Sequence, residues 1–220
     1  MAFNPQMDIP ANALQDFKDF EQLLETQYPV ERGLLTRIYL HWSVAPHGMK
    51  FSDYNAMTLL NGKLTISVTG NPQDNAPGLN DNPIHSHTWH RNTGAVGVSI
   101  DGMEGATVDN FGHAAPSLLE ILYLCGCVAA TAKAYHIDLS GVVPQGGQTH
   151  LDNDGGTVNT AGEANALTHA ECAVIDLYPT ERWDLGVLEA LPEGVSLTPE
   201  MRTTSGNTLR ECARRIKLLL

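Results

Sequence analysis

The sequence predicts a single α/β domain with a mixed central β-sheet flanked by helices. Hydrophobic residues make up 42% of the 220 positions, which is enough to build a core without structural disulfides or metal. Segments rich in β-branched and aromatic residues alternate with segments of helical periodicity. No internal repeat and no linker divides the chain, so a single domain is expected.

The first predicted element is an amphipathic helix over residues 12–27. Its apolar residues recur with the spacing of one helix face, and they are Leu14, Phe17, Phe20, Leu23 and Leu24. Pro29 and Gly33 end the helix. We expect residues 1–33 to form a helical extension packed on the core, and residues 34–220 to form the main domain.

Strands are predicted next along the chain. Residues 34–43 are β-branched and aromatic, which is typical of a buried strand. Residues 51–68 contain two apolar runs around Asn61-Gly62, a dipeptide that favours the tight turn of a hairpin. The short apolar segment 94–100 predicts a further buried strand.

The second half predicts a buried helix, one more strand and a terminal helix. Residues 117–135 are apolar on nearly all sides, which indicates a central buried helix, with Pro116 as the candidate cap at its start. Residues 139–143 predict a strand, and residues 209–220 predict an amphipathic basic helix. The stretch 144–165 is rich in Gly, Asn and Thr and predicts a long loop.

Charge and hydropathy exclude two classes of partner. The formal net charge is −12, and the one basic cluster is C-terminal (Arg210, Arg214, Arg215 and Lys217), so a nucleic-acid binder is not expected. The apolar stretch 121–132 is shorter than the roughly 20 residues that span a bilayer. Residues 1–10 lack the cations and apolar region of a secretory signal, so we expect the protein in the cytoplasm of the cell that makes it.

The four cysteines favour a reduced protein over a disulfide framework. Cys125 and Cys127 flank Gly126 within the predicted central helix. This spacing would suit half of a metal site, but buried helical thiols are the better interpretation.

Histidines and an aspartate suggest a metal site. His41 ends the first predicted strand, and His169 and Asp184 follow in the second half of the chain. Two imidazoles and one carboxylate leave a fourth zinc position open, as catalytic zinc sites do. From spacing alone, hydrogen-bonded core or rim histidines are the more common explanation of such residues.

Five short motifs follow one another around these residues. They are 38–43 (IYLHWS), 53–55 (DYN) leading to 61–62 (NG), 86–88 (SHT) with 92–98 (NTGAVGV), 168–169 (TH) and 182–184 (RWD). In this order they resemble the zinc-dependent N-acetylmuramoyl-L-alanine amidase type 2 family, which includes phage endolysins and peptidoglycan recognition proteins. The resemblance spans residues 34–187.

The resemblance implies that His41 and His169 are zinc ligands and that Asp184 is the third, with Asp176 as the alternative because the gap after His169 is long. Tyr54 matches a tyrosine that assists catalysis beside the metal. Arg182 replaces a lysine that stabilises the oxyanion. The alternatives are a hairpin aromatic for Tyr54 and a surface ion pair for Arg182.

Three further residues are expected near the substrate. His87 and Asn92 match the family's groove segment. Trp42 is a candidate for stacking on a sugar ring, with a structural role as the alternative. Some family branches carry a catalytic glutamate where this chain has Ser99, which leaves Tyr54 to act.

The implied activity is zinc-dependent hydrolysis of the amide bond between N-acetylmuramic acid and the L-alanine of the peptidoglycan stem peptide. We expect a monomeric phage endolysin that reaches the cell wall through a holin-type pore. The alternatives are a non-catalytic peptidoglycan-binding module of the same fold, a secreted effector or a wall-recycling amidase. Asp184 favours an enzyme, because binding-only members typically lack the third ligand.

Overall fold

The computed structural model describes residues 2–79, 82–88, 91–141, 164–175 and 182–220. The elements, in chain order, are α1 (Ala11–Gln27), β1 (Arg37–Trp42), β2 (Ala56–Asn61), β3 (Lys63–Val68), a short 3₁₀ helix (Pro72–Asn75), β4 (Ala95–Ile100), α2 (Leu118–Ala134), β5 (Ala166–Thr168), α3 (His169–Ile175) and α4 (Pro199–Lys217).

The strands form one five-stranded sheet in the order β3-β2-β4-β1-β5. β1 runs parallel to both of its neighbours, β4 and β5, and β2 is parallel to β4 but antiparallel to β3. Helices pack on this sheet. The predicted class, a single α/β domain with a mixed sheet flanked by helices, is therefore confirmed.

β1 pairs with a parallel strand on each edge and is buried on both faces, as parallel strands usually are. Ile38, Leu40 and Trp42 belong to the main hydrophobic core, which includes α2. Tyr39 belongs to a smaller cluster with residues of α3. Because successive side chains of a strand point to opposite faces, His41 lies on the same face as Tyr39, away from α2.

The helix predicted as an N-terminal extension shares the main core. Phe17 of α1 is fully buried and packs edge-on against Tyr123 of α2, with 5.1 Å between ring centroids. Gly126 makes this contact possible, because a Cβ at that position would lie 2.3 Å from the Phe17 ring. The N-terminal segment therefore packs on the rest of the chain through the contact between α1 and α2.

Local sequence signals account for the hairpin and for the start of α2. The β2–β3 turn falls at Asn61-Gly62, as predicted, and Gly62 has φ +68°. α2 begins at Leu118, one residue after the predicted start at position 117. The N-cap is Ser117 rather than Pro116, because Ser117 and Glu120 form a reciprocal capping box.

Other boundaries differ from the prediction. α4 begins at Pro199, ten residues before the predicted start at position 209, with the Thr198 hydroxyl capping its first turn. β5 and α3 were not predicted, because segments of three and seven residues are too short for a periodic signal. Within the predicted strand 139–143, the described residues 139–141 form no strand.

The basic C-terminal cluster is occupied by internal contacts. Arg210 forms a buried ion pair with Glu171, Lys217 donates to the Ile137 carbonyl at 2.6 Å, and Arg215 donates to a carbonyl near the N-terminus. All four cysteines are buried, and none of them forms a disulfide bond. Across the described ranges, no helix combines the length and apolarity needed to cross a bilayer.

Candidate metal centre

Three separate segments bring His41, His169 and Asp184 together. His41 lies near the end of β1, and His169 immediately follows β5. β1 and β5 are parallel and pair Leu40 with Thr168, so the two histidines follow paired residues at the same edge of the sheet. The Asp184 carbonyl accepts the Ala170 N–H at 3.2 Å, which holds the aspartate segment against the start of α3. We call these three residues the metal centre.

Their side-chain atoms converge on one point. His41 Nδ1 lies 3.1 Å from His169 Nδ1 and 3.6 Å from Asp184 Oδ2. His169 Nδ1 lies 3.3 Å from the same oxygen. Ligands on a tetrahedral zinc ion, with bonds of about 2.0–2.1 Å, are separated by about 3.3–3.4 Å. The donor set and its spacing therefore fit a metal ion, and the structure supports a metal site without identifying the metal.

Burial sets the protonation states of the ligands. His41 is 1% exposed, Asp184 4% and His169 5%. Burial lowers the pKa of His41 to about 4, against the opposing effect of the Asp184 carboxylate. Burial alone would raise the pKa of Asp184, but hydrogen bonds and charge interactions with His169 and His41 bring it below its usual range. A neutral imidazole and an ionised carboxylate are the forms that bind a metal.

A hydroxyl that the sequence prediction missed orients His41. Thr88 Oγ1 lies 3.2 Å from His41 Nε2 and 3.0 Å from His87 Nδ1. Metal-binding histidines commonly use their second ring nitrogen in such a contact, which fixes the ring orientation. The only available sequence signal was the position of Thr88 next to His87 in the matched segment 86–88.

His87 and Asn92, predicted to line the substrate groove, support the metal centre. His87 is buried and lies against Gly97, where a Cβ would come within 2.4 Å of its ring. Asn92 Oδ1 accepts the backbone N–H groups of His87 and Thr88 at 3.0 and 2.8 Å. The His87 ring centroid lies 5.4 Å from that of His41, so both residues support the segment beside the metal centre, and their contact with substrate stays a prediction.

Trp42 packs against other aromatic residues. Its side chain is 1% exposed and packs edge-on against Trp183, with 4.7 Å between centroids, and against Phe111 at 5.7 Å. This packing favours the structural alternative for Trp42, and its contact with a sugar stays a prediction. The physical reason for the burial is strand alternation, since Trp42 and the neighbouring His41 point to opposite faces of β1.

Tyr54 lies beside the metal centre. Its ring centroid is 5.2 Å from that of His41, and the side chain is only partly buried. Burial and the nearby Asp184 carboxylate raise the pKa of Tyr54 to about 12, although a hydrogen bond with Ser99 acts in the opposite direction. The phenol is thus protonated at neutral pH, and its hydroxyl donates a long hydrogen bond to the Trp42 carbonyl at 3.5 Å.

Arg182 provides an exposed cation near the same residues. Its side chain is exposed, and its positive charge lowers the pKa of both His41 and Tyr54. The Arg182 carbonyl accepts a hydrogen bond from Arg202 at 2.7 Å, which anchors this segment to α4. Asp176, the alternative third ligand, lies outside the described residues.

Comparisons with protein-family models, with curated proteins and with solved structures each gave no match. The resemblance to the amidase type 2 family therefore rests on the ordered sequence motifs. We infer function from those motifs together with the geometry of the metal centre.

Proposed function

We propose that this protein is a zinc-dependent amidase that hydrolyses the bond between N-acetylmuramic acid and the L-alanine of the peptidoglycan stem peptide. The observation that carries the proposal is the convergence of His41, His169 and Asp184 beside Tyr54. This arrangement supports hydrolytic metal chemistry, and the substrate class comes from the order of the motifs. A phage endolysin acting as a monomer is the biological role that we favour.

The metal centre fits zinc because its two imidazoles and one carboxylate form a common set of catalytic zinc ligands. Zinc, when bound, polarises a carbonyl oxygen and makes water a better nucleophile near neutral pH. The chain's part is to hold the three ligands in the required geometry. Thr88 assists by fixing the His41 ring through Nε2.

Tyr54 and Arg182 are the residues proposed to act on the substrate. The protonated phenol of Tyr54 can donate a hydrogen bond to a group at the metal centre, and its partial exposure leaves it accessible. The guanidinium of Arg182 offers positive charge where a tetrahedral oxyanion develops. Removing one such contact costs about 3–4 kcal/mol of transition-state stabilisation in other enzymes.

The proposal is tested by measuring zinc content together with products released from purified peptidoglycan. We expect zinc at the metal centre of the wild type and new N-terminal alanine on the released peptides. We expect the zinc-stripped protein to be inactive and to recover when zinc is returned. His169→Ala should not recover, because it lacks one of the three ligands.

Two results would contradict the proposal in different ways. Zinc bound at the metal centre without release of peptides would favour the non-catalytic binding module. Release of sugars or of internal stem fragments, with no new N-terminal alanine, would show that a different bond is cut. Intact-wall and soluble muropeptide substrates, assayed in parallel, separate an endolysin from a wall-recycling amidase.

Tyr54→Phe is expected to lower kcat by about 100-fold or more, the usual range for loss of a positioned proton donor. Zinc binding should be unchanged, because the phenol is not one of the metal ligands. The measurement is steady-state hydrolysis with zinc stoichiometry determined on the same sample.

Tyr28→Phe is the matched control, since Tyr28 lies at the C-terminal end of α1, outside the metal centre, and the substitution also removes one hydroxyl. Its kcat should equal that of the wild type. Equal kcat for Tyr54→Phe and the wild type would exclude Tyr54 from the reaction.

A further inference from the structure

A second group of metal-ligating side chains lies at the N-terminal end of α2. His47 comes from the loop after β1, Asp101 directly follows β4, and Glu120 is in the first turn of α2. One ligand atom from each lies within 4.8 Å of the other two. We call these residues the second cluster. None of them belongs to the metal centre or to its matched motifs.

The spacing within the second cluster resembles that of the metal centre. His47 Nδ1 lies 3.3 Å from Glu120 Oε1 and 3.6 Å from Asp101 Oδ1. These separations are close to the roughly 3.3–3.4 Å between two ligands of a tetrahedral zinc ion. One ligand atom from each of the three side chains lies within 4.8 Å of the other two, so the three side chains are close enough to share a single ion.

Two of the converging atoms lack a hydrogen-bond partner. Glu120 is 3% exposed, and its Oε1 accepts no hydrogen bond, while Oε2 accepts the Ser117 N–H at 2.7 Å. His47 Nδ1 is also buried without a hydrogen-bond partner. Buried polar atoms of this kind are rare in folded proteins and call for a ligand or an ion. Here the two atoms face each other.

The surrounding backbone shapes the second cluster. Asp101 is fully buried, and its carboxylate oxygens accept the Leu60 N–H at 3.1 and 3.0 Å and also the Gly48 N–H. Gly102 leaves room for the imidazole, because a Cβ there would lie 3.0 Å from His47 Cε1. The carboxylate and the ring are thus held in place by neighbouring residues.

The charge of the second cluster also favours a cation. Two buried carboxyl groups face a single imidazole, so acidic side chains outnumber basic ones in the second cluster. Buried charges are stable only when they are paired or coordinate a metal. A divalent ion would balance both carboxylates while His47 remains a neutral ligand.

We propose that His47, Asp101 and Glu120 bind a second zinc ion, which joins the loop after β1 and the end of β4 to the start of α2. One imidazole nitrogen and two carboxylate oxygens suit zinc better than calcium or magnesium, which prefer oxygen ligands alone. The His47 side chain is 23% exposed, which gives an ion access. The site is structural and independent of the reaction at the metal centre.

The test is carried out in the His169→Ala variant, in which the metal centre lacks one of its three ligands. The result therefore does not depend on whether the protein is an amidase. The protein is stripped with a chelator and returned to Zn²⁺, and bound zinc and Tm are measured. We expect one zinc per chain and a higher Tm with zinc. Adding Glu120→Gln should remove that zinc, although glutamine still supports the capping box.

Two further variants keep the test decisive. His47→Gln alters a loop residue outside every helix and strand, and it should abolish the same zinc even if Glu120→Gln fails to fold. His113→Gln is the matched control, since His113 is 80% exposed beside Glu104, and the zinc count should not change. A His169→Ala protein that binds no zinc, with a Tm insensitive to it, would overturn the proposal and leave His47 as the protonated partner of the carboxylates.

Discussion

Asp184→Ala is expected to abolish hydrolysis and to weaken zinc binding at the metal centre by more than 100-fold. Loss of an outer-shell partner alone costs about 10- to 100-fold in metal affinity, and Asp184 is placed as a direct ligand. Its Oδ2 lies 3.3 Å from His169 Nδ1 and 3.6 Å from His41 Nδ1. The measurements are a zinc titration by competition with a chelator and the rate of peptide release.

Two companion variants identify the third ligand. Asp184→Cys should retain zinc, because a thiolate is a good zinc ligand and one branch of the amidase type 2 family has cysteine at this place. Asp176→Ala should retain both zinc and activity. If Asp176→Ala loses zinc and Asp184→Ala keeps it, the assignment of the third ligand is reversed.

Arg210→Met is expected to destabilise the protein by about 3–5 kcal/mol, the usual cost of leaving a buried charge without its partner. Glu171 is fully buried, and both of its oxygens accept bonds from the Arg210 guanidinium at 2.7 Å. Arg210 also donates to the Ala166 carbonyl of β5 at 2.8 Å. The measurement is the free energy of unfolding in urea.

The Glu171–Arg210 pair also supports the metal centre, since Glu171 lies two residues after His169 in α3. We expect the zinc affinity of Arg210→Met to fall along with its stability. Arg210→Met combined with Glu171→Gln should recover part of the stability, because no uncompensated charge remains. Lys133→Met is the comparison for a half-buried ion pair, the one with Glu21, whose side chains are 36% and 12% exposed, and it should change stability by less than Arg210→Met does.

Local signals in the sequence predicted much of the fold. The alternation and β-branching of residues 34–43 and 94–100 correspond to β1 and β4, and Asn61-Gly62 forms the predicted turn. These features depend on residues that lie within a few positions of one another in the chain, so they can be read from the sequence alone. β5 and α3 escaped prediction because their short segments are stabilised by tertiary contacts, among them the Arg210 bond to Ala166.

The residues of the candidate site could be predicted from the sequence, but the positions of their side chains relative to one another could not. The ordered motifs singled out His41, His169, Asp184 and Tyr54, and the structure brings these side chains together. The same motifs gave no information on which neighbours face the substrate. Trp42 and His87 were predicted to contact the substrate, and the structure places Trp42 on the core face of β1 and the His87 ring beside that of His41.

The α/β class, the hairpin, the main helices and the residue types available for a metal site follow from the sequence, because each depends on composition or short-range periodicity. Which of the nine histidines come close to a carboxylate depends on the tertiary fold. His41 approaches His169 through the pairing of β1 with β5, and His47 approaches Glu120 through the packing of a loop on α2. Such contacts join residues that are distant in the chain, and burial then fixes their charge.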